Sequence, residues 1–369
     1  SNKLLSKVKI SGGGRCNVCP SPLEINELVK FYPRGFKELR QAFNYFNVSD
    51  TINWFESRGV KLKQEPDGRM FPVTDDSQTI IDCLLKEAHK FKISFALSTA
   101  FEGFDKIENE FIIRSNKGDF NSKYLIIACG GGPKINFFNW ALNHDIKVVN
   151  PVPSLFTFNI PSVNWGDLMG ASLTNVSIEL PELKVKEKGP FLITHWGFSG
   201  PAVIKLSAKA AFELAQKQYQ TKVKINWTGT LNDDEFAKQM EDFAWNHRKK
   251  SITNYSVFDI PARVWKFLCH RAGIVENKDW TELSKKEFFK LQDTVLRDIY
   301  IMEGKTTFKE EFVSAGGIDK KEIDFKTMQV KKIPNLFVVG ESLDIDGLTG
   351  GYNFQSAWTT GFIAGSLAQ

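Results

Sequence analysis

Two glycine-rich stretches near opposite ends of the chain have residue types that suit an anionic or flat aromatic ligand. Gly350 and Gly351 follow an acidic loop and precede a segment with small residues that is typical of a helix. Backbone amides at a helix start attract negatively charged oxygens, and glycines let a planar ring approach the main chain. Residues 12–15 combine three glycines with a guanidinium, which suits a phosphate or the edge of a flavin. A tight turn or a flexible loop is the alternative at each stretch.

Two more glycine loops follow apolar segments that are expected to be buried strands. Gly130 and Gly131 come directly after residues 124–129, and Gly340 with Glu341 comes after another apolar run. Ligands of open α/β sheets bind outside the carboxyl ends of the strands. Both loops are therefore candidate ligand sites, and a structural turn between strand and helix is the alternative.

Three side chains are candidates for catalysis: His195, Tyr352 and Arg69. An unperturbed imidazole titrates near neutral pH, which suits an acid or a base, although a histidine beside a tryptophan is often structural. Arg69 follows a turn and could reach a ligand or stay solvated. Cys16 and Cys19 form a Cys-x-x-Cys pair, but no second pair accompanies them, so we expect no metal site.

The composition describes an ordinary globular protein with room for two or three domains. The chain has 369 residues, and its net charge of +5 is spread among 48 basic and 43 acidic residues, which is a weak argument for nucleic acid. No apolar run is long enough to span a membrane, and the first residues lack the apolar core of a signal peptide. The odd number of scattered cysteines, five, fits a reducing compartment. We therefore expect a cytoplasmic protein without a membrane partner.

The periodicity of the first part of the chain predicts helices followed by a β-meander. An amphipathic helix is expected over residues 77–90, and short strands are expected over 93–97, 99–107 and 110–114, before the buried strand 124–129. A meander that leads into a buried strand with a glycine run is the plan of the second half of a flavoprotein with two dinucleotide-binding domains.

The middle of the chain has a different character, which predicts an inserted region. Alternating strand patterns give way to a helical stretch that is locally basic at residues 247–250 and in which aromatic residues are interleaved with lysines. Such a stretch either binds nucleic acid or forms an ordinary amphipathic bundle. The sequence predicts a discontinuous nucleotide-binding domain of residues 1–154 and 314–369, an inserted β subdomain of residues 155–230 and 300–313, and an inserted helical subdomain of residues 231–299.

Seven ordered motifs together resemble the BaiN/RdsA-type NAD(P)/FAD-dependent oxidoreductases, a family that includes aminoacetone oxidase-like flavoproteins. The motifs occupy residues 10–17, 68–72, 128–131, 194–201, 311–318, 322–328 and 340–353. The resemblance implies an α/β fold: a glutathione-reductase-like, FAD-binding Rossmann-type domain with an inserted β subdomain and helical subdomain. Members of the family begin with a strand and a G-x-G-x-x-G turn, which this sequence does not show ahead of Ser1. We therefore expect about thirty residues, the opening of one βαβ unit, to be missing.

The resemblance also implies which residues contact FAD. The N-terminal motif should lie against the cofactor, and the loop at residues 130–131 near its diphosphate or adenosine. The loop at residues 340–341 should lie by the ribityl chain and diphosphate, and the helix start at residues 350–353 at the pyrimidine edge of the flavin ring. The residues are Ser11, Gly12, Gly13, Gly14, Arg15, Cys16 and Asn17; Gly130 and Gly131; Gly340 and Glu341; and Gly350, Gly351, Tyr352 and Asn353.

The function expected from these observations is an FAD-dependent oxidoreductase. It would transfer hydride between flavin and a small-molecule or nucleobase substrate, with NAD(P)H as a candidate electron donor. Within the family, the resemblance allows an amine oxidase that uses oxygen, an enoyl-type reductase, or a reductase that forms dihydrouridine in ribosomal RNA. A non-catalytic nucleotide- or RNA-binding module that kept the fold is the alternative from another class. Small molecules and RNA are both candidate partners, and the sequence leaves the oligomeric state open.

Overall fold

A computed structural model describes residues 3–132, 134–307 and 313–367, and within it the chain divides into two compact units. Unit 1 contains the described residues up to Ser154 and those from Val313 onward, and unit 2 contains residues 155–307. The chain thus leaves unit 1 once and returns to it. The predicted motif 311–318 and the predicted β-subdomain segment 300–313 fall partly on residues 308–312, which lie outside the described residues.

The helices form where amphipathic patterns and capping residues agree. Asp76 accepts a bond from the amide of Gln78 and starts the helix that the sequence predicts over 77–90. The α-helices are α1 Ser6–Ile10, α2 Ile25–Leu28, α3 Phe36–Ala42, α4 Val48–Glu56, α5 Ser77–Lys90, α6 Asn139–Leu142, α7 Pro201–Lys209, α8 Ala211–Gln216, α9 Asp233–Asn246, α10 Ala262–Arg271, α11 Lys285–Leu296 and α12 Tyr352–Leu367.

The strands are mostly short and antiparallel. They are β1 Cys19–Pro20, β2 Leu62–Gln64, β3 Arg69–Pro72, β4 Phe101–Ile107, β5 Glu110–Ser115, β6 Phe120–Ser122, β7 Leu125–Ile127, β8 Val148–Pro153, β9 Thr157–Asn159, β10 Ser172–Leu180, β11 Val185–Ile193, β12 Gly197–Ser199, β13 Gln220–Asn226, β14 Asp298–Glu303, β15 Lys305–Thr306, β16 Ser314–Ile318, β17 Ile323–Asp324, β18 Gln329–Val330 and β19 Leu336–Val338.

Unit 1 has small sheets, and the one whose strands lead into two of the predicted glycine loops has the order β17-β18-β19-β7. In it β19 pairs in parallel with β7, so that Leu336 lies opposite Leu125 and Val338 opposite Ile127. This juxtaposes two strands that are more than 200 residues apart in sequence. Their carboxyl ends therefore open at the same edge of the sheet.

The predicted strand over residues 93–97 is wrong, because this segment forms no strand and its side chains are exposed. Apolar residues favour a strand, but a strand needs a neighbour to satisfy its main chain, and no described strand pairs with this segment. The expectation that residues 124–129 are continuously buried is also only partly met, since Ile126 is 40% exposed. Two of the three predicted meander strands are present: β4 and β5 cover most of residues 99–107 and 110–114 and pair with each other. The third strand is β6, which the sequence did not predict and which pairs with β5.

Unit 2 is built on a seven-stranded antiparallel sheet of order β14-β13-β10-β11-β12-β9-β15. One sheet face packs on α7 and on a core rich in aromatic residues. Trp165 and Trp265 are almost wholly buried, and each donates its indole N–H to a backbone carbonyl, of Ile160 and of Ile252 respectively. Because the polar atom of each buried indole is satisfied, these large rings stabilise the core without an unpaired donor.

Candidate functional site

Two glycine loops meet where β7 and β19 end. Gly130 follows β7 and Gly340 follows β19, and the hydroxyl of Ser342 donates to the carbonyl of Gly130 at 3.0 Å. The amide of Val339 also donates to the carbonyl of Ile127, at 3.0 Å. The parallel pair thus holds the two loops side by side at the sheet edge where nucleotides bind in open α/β folds.

Glu341 lies between these loops and is already engaged by the protein. Its carboxylate accepts a bond from the Lys7 ammonium at 2.9 Å and another from the amide of Ser314 at 2.9 Å. A Cβ on Gly131 would lie 2.6 Å from the nearer carboxylate oxygen of Glu341. Gly131 is therefore a glycine because the acid side chain fills the space that a side chain would need.

The N-terminal glycines divide into one that packs and two that face open space. All three have left-handed φ angles, of 57°, 69° and 84° for Gly12, Gly13 and Gly14. A Cβ on Gly12 would collide with the amide of Asn17 and the ring of Phe71, whereas one on Gly13 or Gly14 would meet nothing within 4 Å.

Gly130 also has a left-handed φ, of 80°, and an open Cβ direction. Gly13, Gly14 and Gly130, here called the open glycines, are thus the loop positions at which a ligand could approach the main chain. The exposed main chain at these three positions fits contact with a cofactor.

The start of α12 joins the two ends of the chain. The side-chain oxygen of Asn17 accepts from the amide of Gly351 at 2.9 Å in the amide orientation that also lets its nitrogen donate to Cys19. A Cβ on Gly351 would lie 2.5 Å from the carbonyl carbon of Cys19. Further along the helix, the indole of Trp358 donates to the carbonyl of Val18 at 2.9 Å.

The same helix reaches the loop that follows β19. The hydroxyl of Thr360 accepts from the amide of Gly340 at 2.9 Å. Together with the contacts of Gly351 and Trp358, this bond makes α12 the element around which the glycine loops of unit 1 meet.

Tyr352 and Asn353 use their side chains for packing. The ring of Tyr352 stacks on Phe31 with centroids 4.4 Å apart, and burial raises the pKa of Tyr352 to about 12. The amide group of Asn353 exchanges two hydrogen bonds with the backbone of Gly347, at 2.8 and 2.9 Å. What these residues offer a ligand is therefore the main chain at the start of α12.

Arg15 and Arg69 converge on a carboxylate that sequence reasoning missed. Glu65 pairs with Arg15 at 2.6 Å and with Arg69 at 3.0 Å, one oxygen for each guanidinium. The Arg15 guanidinium also lies 4.1 Å from the ring centroid of Phe71. The hydrogen bond to Glu65 raises the pKa of Arg15. Glu65 begins the turn that leads into the 68–72 motif. Its closeness to Arg69 in the sequence could have indicated this contact.

The remaining predicted residues lie in different settings. His195 belongs to unit 2, where it is exposed at the hairpin between β11 and β12 with its ring edge-on to Trp196 at 4.3 Å. Arg69 and Tyr352 belong to unit 1. Burial raises the pKa of the Cys16 thiol to about 11, so it is protonated at neutral pH, and the Ser11 hydroxyl donates to Val8.

Two buried acids of the loop after β19 have partners that the sequence did not reveal. Asp346 is wholly buried and accepts from both the Arg34 guanidinium and the Ser154 hydroxyl. Asp344 pairs with the Lys320 ammonium. Burial raises the pKa of both carboxyl groups, and their cationic partners oppose that shift. These pairs fix the loop between β19 and α12.

Metal clusters and membrane-spanning helices are both absent from the described part of the chain. No group of three or more histidine, cysteine and acidic side chains in residues 3–132, 134–307 and 313–367 could hold a metal ion. In the same residues, no helix combines the length and the apolar character that crossing a membrane requires.

Comparison with known proteins adds a family and named relatives. The family described as HI0933-like protein Rossmann domain matches residues 1–367. Ribosomal RNA dihydrouridine synthase of Escherichia coli (strain K12) is 25% identical over 363 residues, covering 96% of this chain and 86% of the relative. The enzyme of the same name from Haemophilus influenzae is 25% identical, covering 98% and 88%. The 3-dehydro-bile acid delta(4,6)-reductase of Clostridium scindens is 22% identical, covering 98% and 89%.

Proposed function

Because the chain belongs to the HI0933-like Rossmann-domain family, we propose that it is an FAD-dependent oxidoreductase that reduces a carbon–carbon double bond conjugated to a carbonyl group. The observation that carries this proposal is the meeting of the glycine loops around α12 at the carboxyl ends of β7 and β19. A nucleotide cofactor needs such an edge, where the main chain is exposed and fixed.

The type of reaction follows from what the relatives' names have in common. A dihydrouridine differs from uridine by two hydrogen atoms across a ring double bond next to a carbonyl. A 3-dehydro-bile acid with double bonds at positions 4 and 6 is an extended enone. In both cases a hydride adds to a carbon conjugated with the carbonyl, and a proton adds to its neighbour. NAD(P)H is the proposed source of the electrons.

The open glycines would hold the cofactor through their main chain. Arg15 would supply a cation for its phosphates or ring edge, and the amides at the start of α12 would face its pyrimidine edge. Glu341 has two hydrogen bonds, which leaves a carboxylate further acceptor capacity for a cofactor hydroxyl. Bound FAD would supply the hydride transfer itself. His195, Arg69 and Tyr352 remain the predicted catalytic side chains.

A matched pair of glycine variants tests the cofactor site. Gly14 and Gly59 have nearly equal φ angles, 84° and 86°, and a Cβ at either would meet nothing within 4 Å. The backbone strain of Gly14→Val and Gly59→Val is therefore comparable. We expect Gly14→Val to weaken FAD binding at least about tenfold, a loss of roughly 1.4 kcal/mol, and Gly59→Val to leave it unchanged.

The measurement is a titration of FAD followed by quenching of flavin fluorescence. Anaerobic reduction by NADPH then precedes reoxidation by a cyclic enone or by uridine-containing RNA. Absence of FAD binding by the unmodified chain would refute the cofactor. FAD binding without any turnover would favour the non-catalytic nucleotide- or RNA-binding module over the reductase.

A further inference from the structure

We propose that unit 2 carries a binding site for single-stranded RNA at the turn that follows α9. The site comprises Trp245, Arg248, Lys249, Lys250 and Tyr255, here called the aromatic-basic corner. It deepens the proposed function and rests on it, because it names RNA as the class of substrate that the reductase engages.

The exposure of Trp245 is the first observation. Its indole is 71% exposed at the end of α9, and the Arg248 guanidinium lies 3.8 Å from its ring centroid. Trp165 and Trp265 of the same unit are buried with their N–H groups bonded. Because most of its indole lies outside the core, Trp245 is available as a stacking platform for a base.

A second platform lies nearby in sequence. Tyr255 is 44% exposed, and the Lys250 ammonium lies 4.5 Å from its ring centroid. Two hydrogen bonds hold the turn that follows Trp245: the ring Nδ1 of His247 bonds the carbonyl of Phe243 at 2.9 Å, and the amide of Lys250 donates to the carbonyl of His247 at 2.8 Å. These two bonds tie the turn to the last turn of α9.

The charge of the corner complements a phosphate chain. Among the residues that the structure describes, Arg248, Lys249 and Lys250 form no ion pair. The pKa of Asp279 is lowered chiefly by its hydrogen bond from Thr281, with a smaller contribution from the charge of Lys249. The acidic residues Glu241 and Asp242 precede the corner on α9. Cations at a helix C-terminus are favourable in themselves, which accounts for the charges but not for two exposed aromatic rings.

RNA fits these features better than a membrane surface does. The apolar side of α9 is used inside unit 2, where Phe236 and Met240 are buried, so no apolar helix face is left for a bilayer. Single-stranded RNA is recognised by stacking of bases on aromatic rings and by cations along its backbone. The relatives named as ribosomal RNA dihydrouridine synthases agree with this choice of partner.

The test is direct binding of a labelled single-stranded RNA of about 16 nucleotides to the full chain, measured by fluorescence anisotropy. We expect Trp245→Ala to lower the affinity about 5- to 150-fold, as for loss of one stacked base. The Arg248→Ala, Lys249→Ser, Lys250→Ser variant should flatten the slope of log affinity against log salt by about 0.7 for each phosphate that it no longer neutralises.

Two controls keep the test specific. Phe120→Ala removes an exposed aromatic ring beside Asp119 in unit 1, and Lys186→Ser with Lys188→Ser removes exposed charge from the sheet of unit 2. Both should retain RNA affinity. Equal losses in a control and in the Trp245 variant, or unchanged affinity in the latter, would overturn the site. Because FAD titration is measured separately, failure of RNA binding with intact FAD binding contradicts this site and leaves the reductase proposal standing.

Discussion

Each unit contains a buried carboxylate that is paired with an arginine, and these two pairs differ in how they are supported. In unit 1, Asp346 is 0% exposed and its arginine, Arg34, is only 12% exposed. In unit 2, Asp298 is 4% exposed, whereas its arginine, Arg271, is 36% exposed. Both members of the charged pair of unit 1 are thus shielded from solvent, whereas in unit 2 the arginine of the pair is partly exposed.

The neutral donors of the two pairs also differ. Asp346 accepts from the hydroxyl of Ser154, the last residue of unit 1 before the chain leaves it. Asp298 accepts from the indole of Trp227 at 3.1 Å and from the hydroxyl of Tyr300, both members of the aromatic core. Unit 1 therefore uses its pair to fix a loop beside the proposed cofactor edge, and unit 2 uses its pair to satisfy polar atoms of a packed core.

The largest expected effect comes from removing the shielded arginine. Arg34→Met leaves Asp346 buried without a cation, and breaking a buried pair in this way costs about 3–5 kcal/mol of stability. The counterpart Arg271→Met should cost about 1–3 kcal/mol, because Asp298 keeps two neutral donors and its arginine is partly solvated. Denaturant unfolding with hydrogen exchange resolved by unit measures both. Equal losses in the two variants would remove the distinction between the pairs.

The next effect tests whether unit 1 depends on close main-chain contact. Gly351 has a φ of 90°, and an added Cβ would lie 2.5 Å from Cys19. Strain and overpacking together make Gly351→Ala cost about 2–4 kcal/mol, seen in the same unfolding measurement. Gly361→Ala is the control, since α12 leaves its Cβ direction open and helix propensity then favours alanine by up to about 1 kcal/mol. A stable Gly351→Ala protein would show that the ends of the chain need not touch.

Local signals predicted the helices well. The sequence predicts a helix over residues 77–90, which α5 matches, and a helix after the Gly350 and Gly351 pair, which α12 matches. These features depend on a few neighbouring residues, which the sequence shows directly. The mixed α/β character and the family were also readable, because seven motifs in order carry more information than any one of them.

The sequence did not show which residues distant along the chain pair with each other in the fold. The apolar segment 93–97 has the composition of a strand, yet whether it forms one depends on a distant neighbour. In the same way, nothing near Asp346 indicates Arg34, which lies 312 residues away. The glycine motifs could be located from the sequence. Only the fold shows that a side chain on Gly13 or Gly14 would point into open space, whereas other motif glycines have neighbouring atoms where a side chain would lie.

The smallest expected effect is a pH dependence of the stability of unit 2. It concerns Glu287, an acid that is more exposed to solvent than Asp346 and Asp298. Hydrogen bonds from Lys278 and Ser284 lower the pKa of Glu287 from 4.5 to about 2. A carboxylate whose pKa is depressed on folding contributes stability that is present above its unfolded pKa and is lost as the pH falls toward its folded pKa. Glu287→Gln should therefore cost less than about 1 kcal/mol at pH 7.

The same substitution should flatten the loss of stability between pH 4.5 and 2. Denaturant midpoints of unit 2 across that range measure the effect. Glu276→Gln serves as the control, because Glu276 pairs with Lys266 at 2.6 Å but, unlike Glu287, caps no helix. If both variants change the pH profile equally, the depressed pKa of Glu287 owes nothing to the start of α11, and the helix cap has no separate part in holding unit 2 at acid pH.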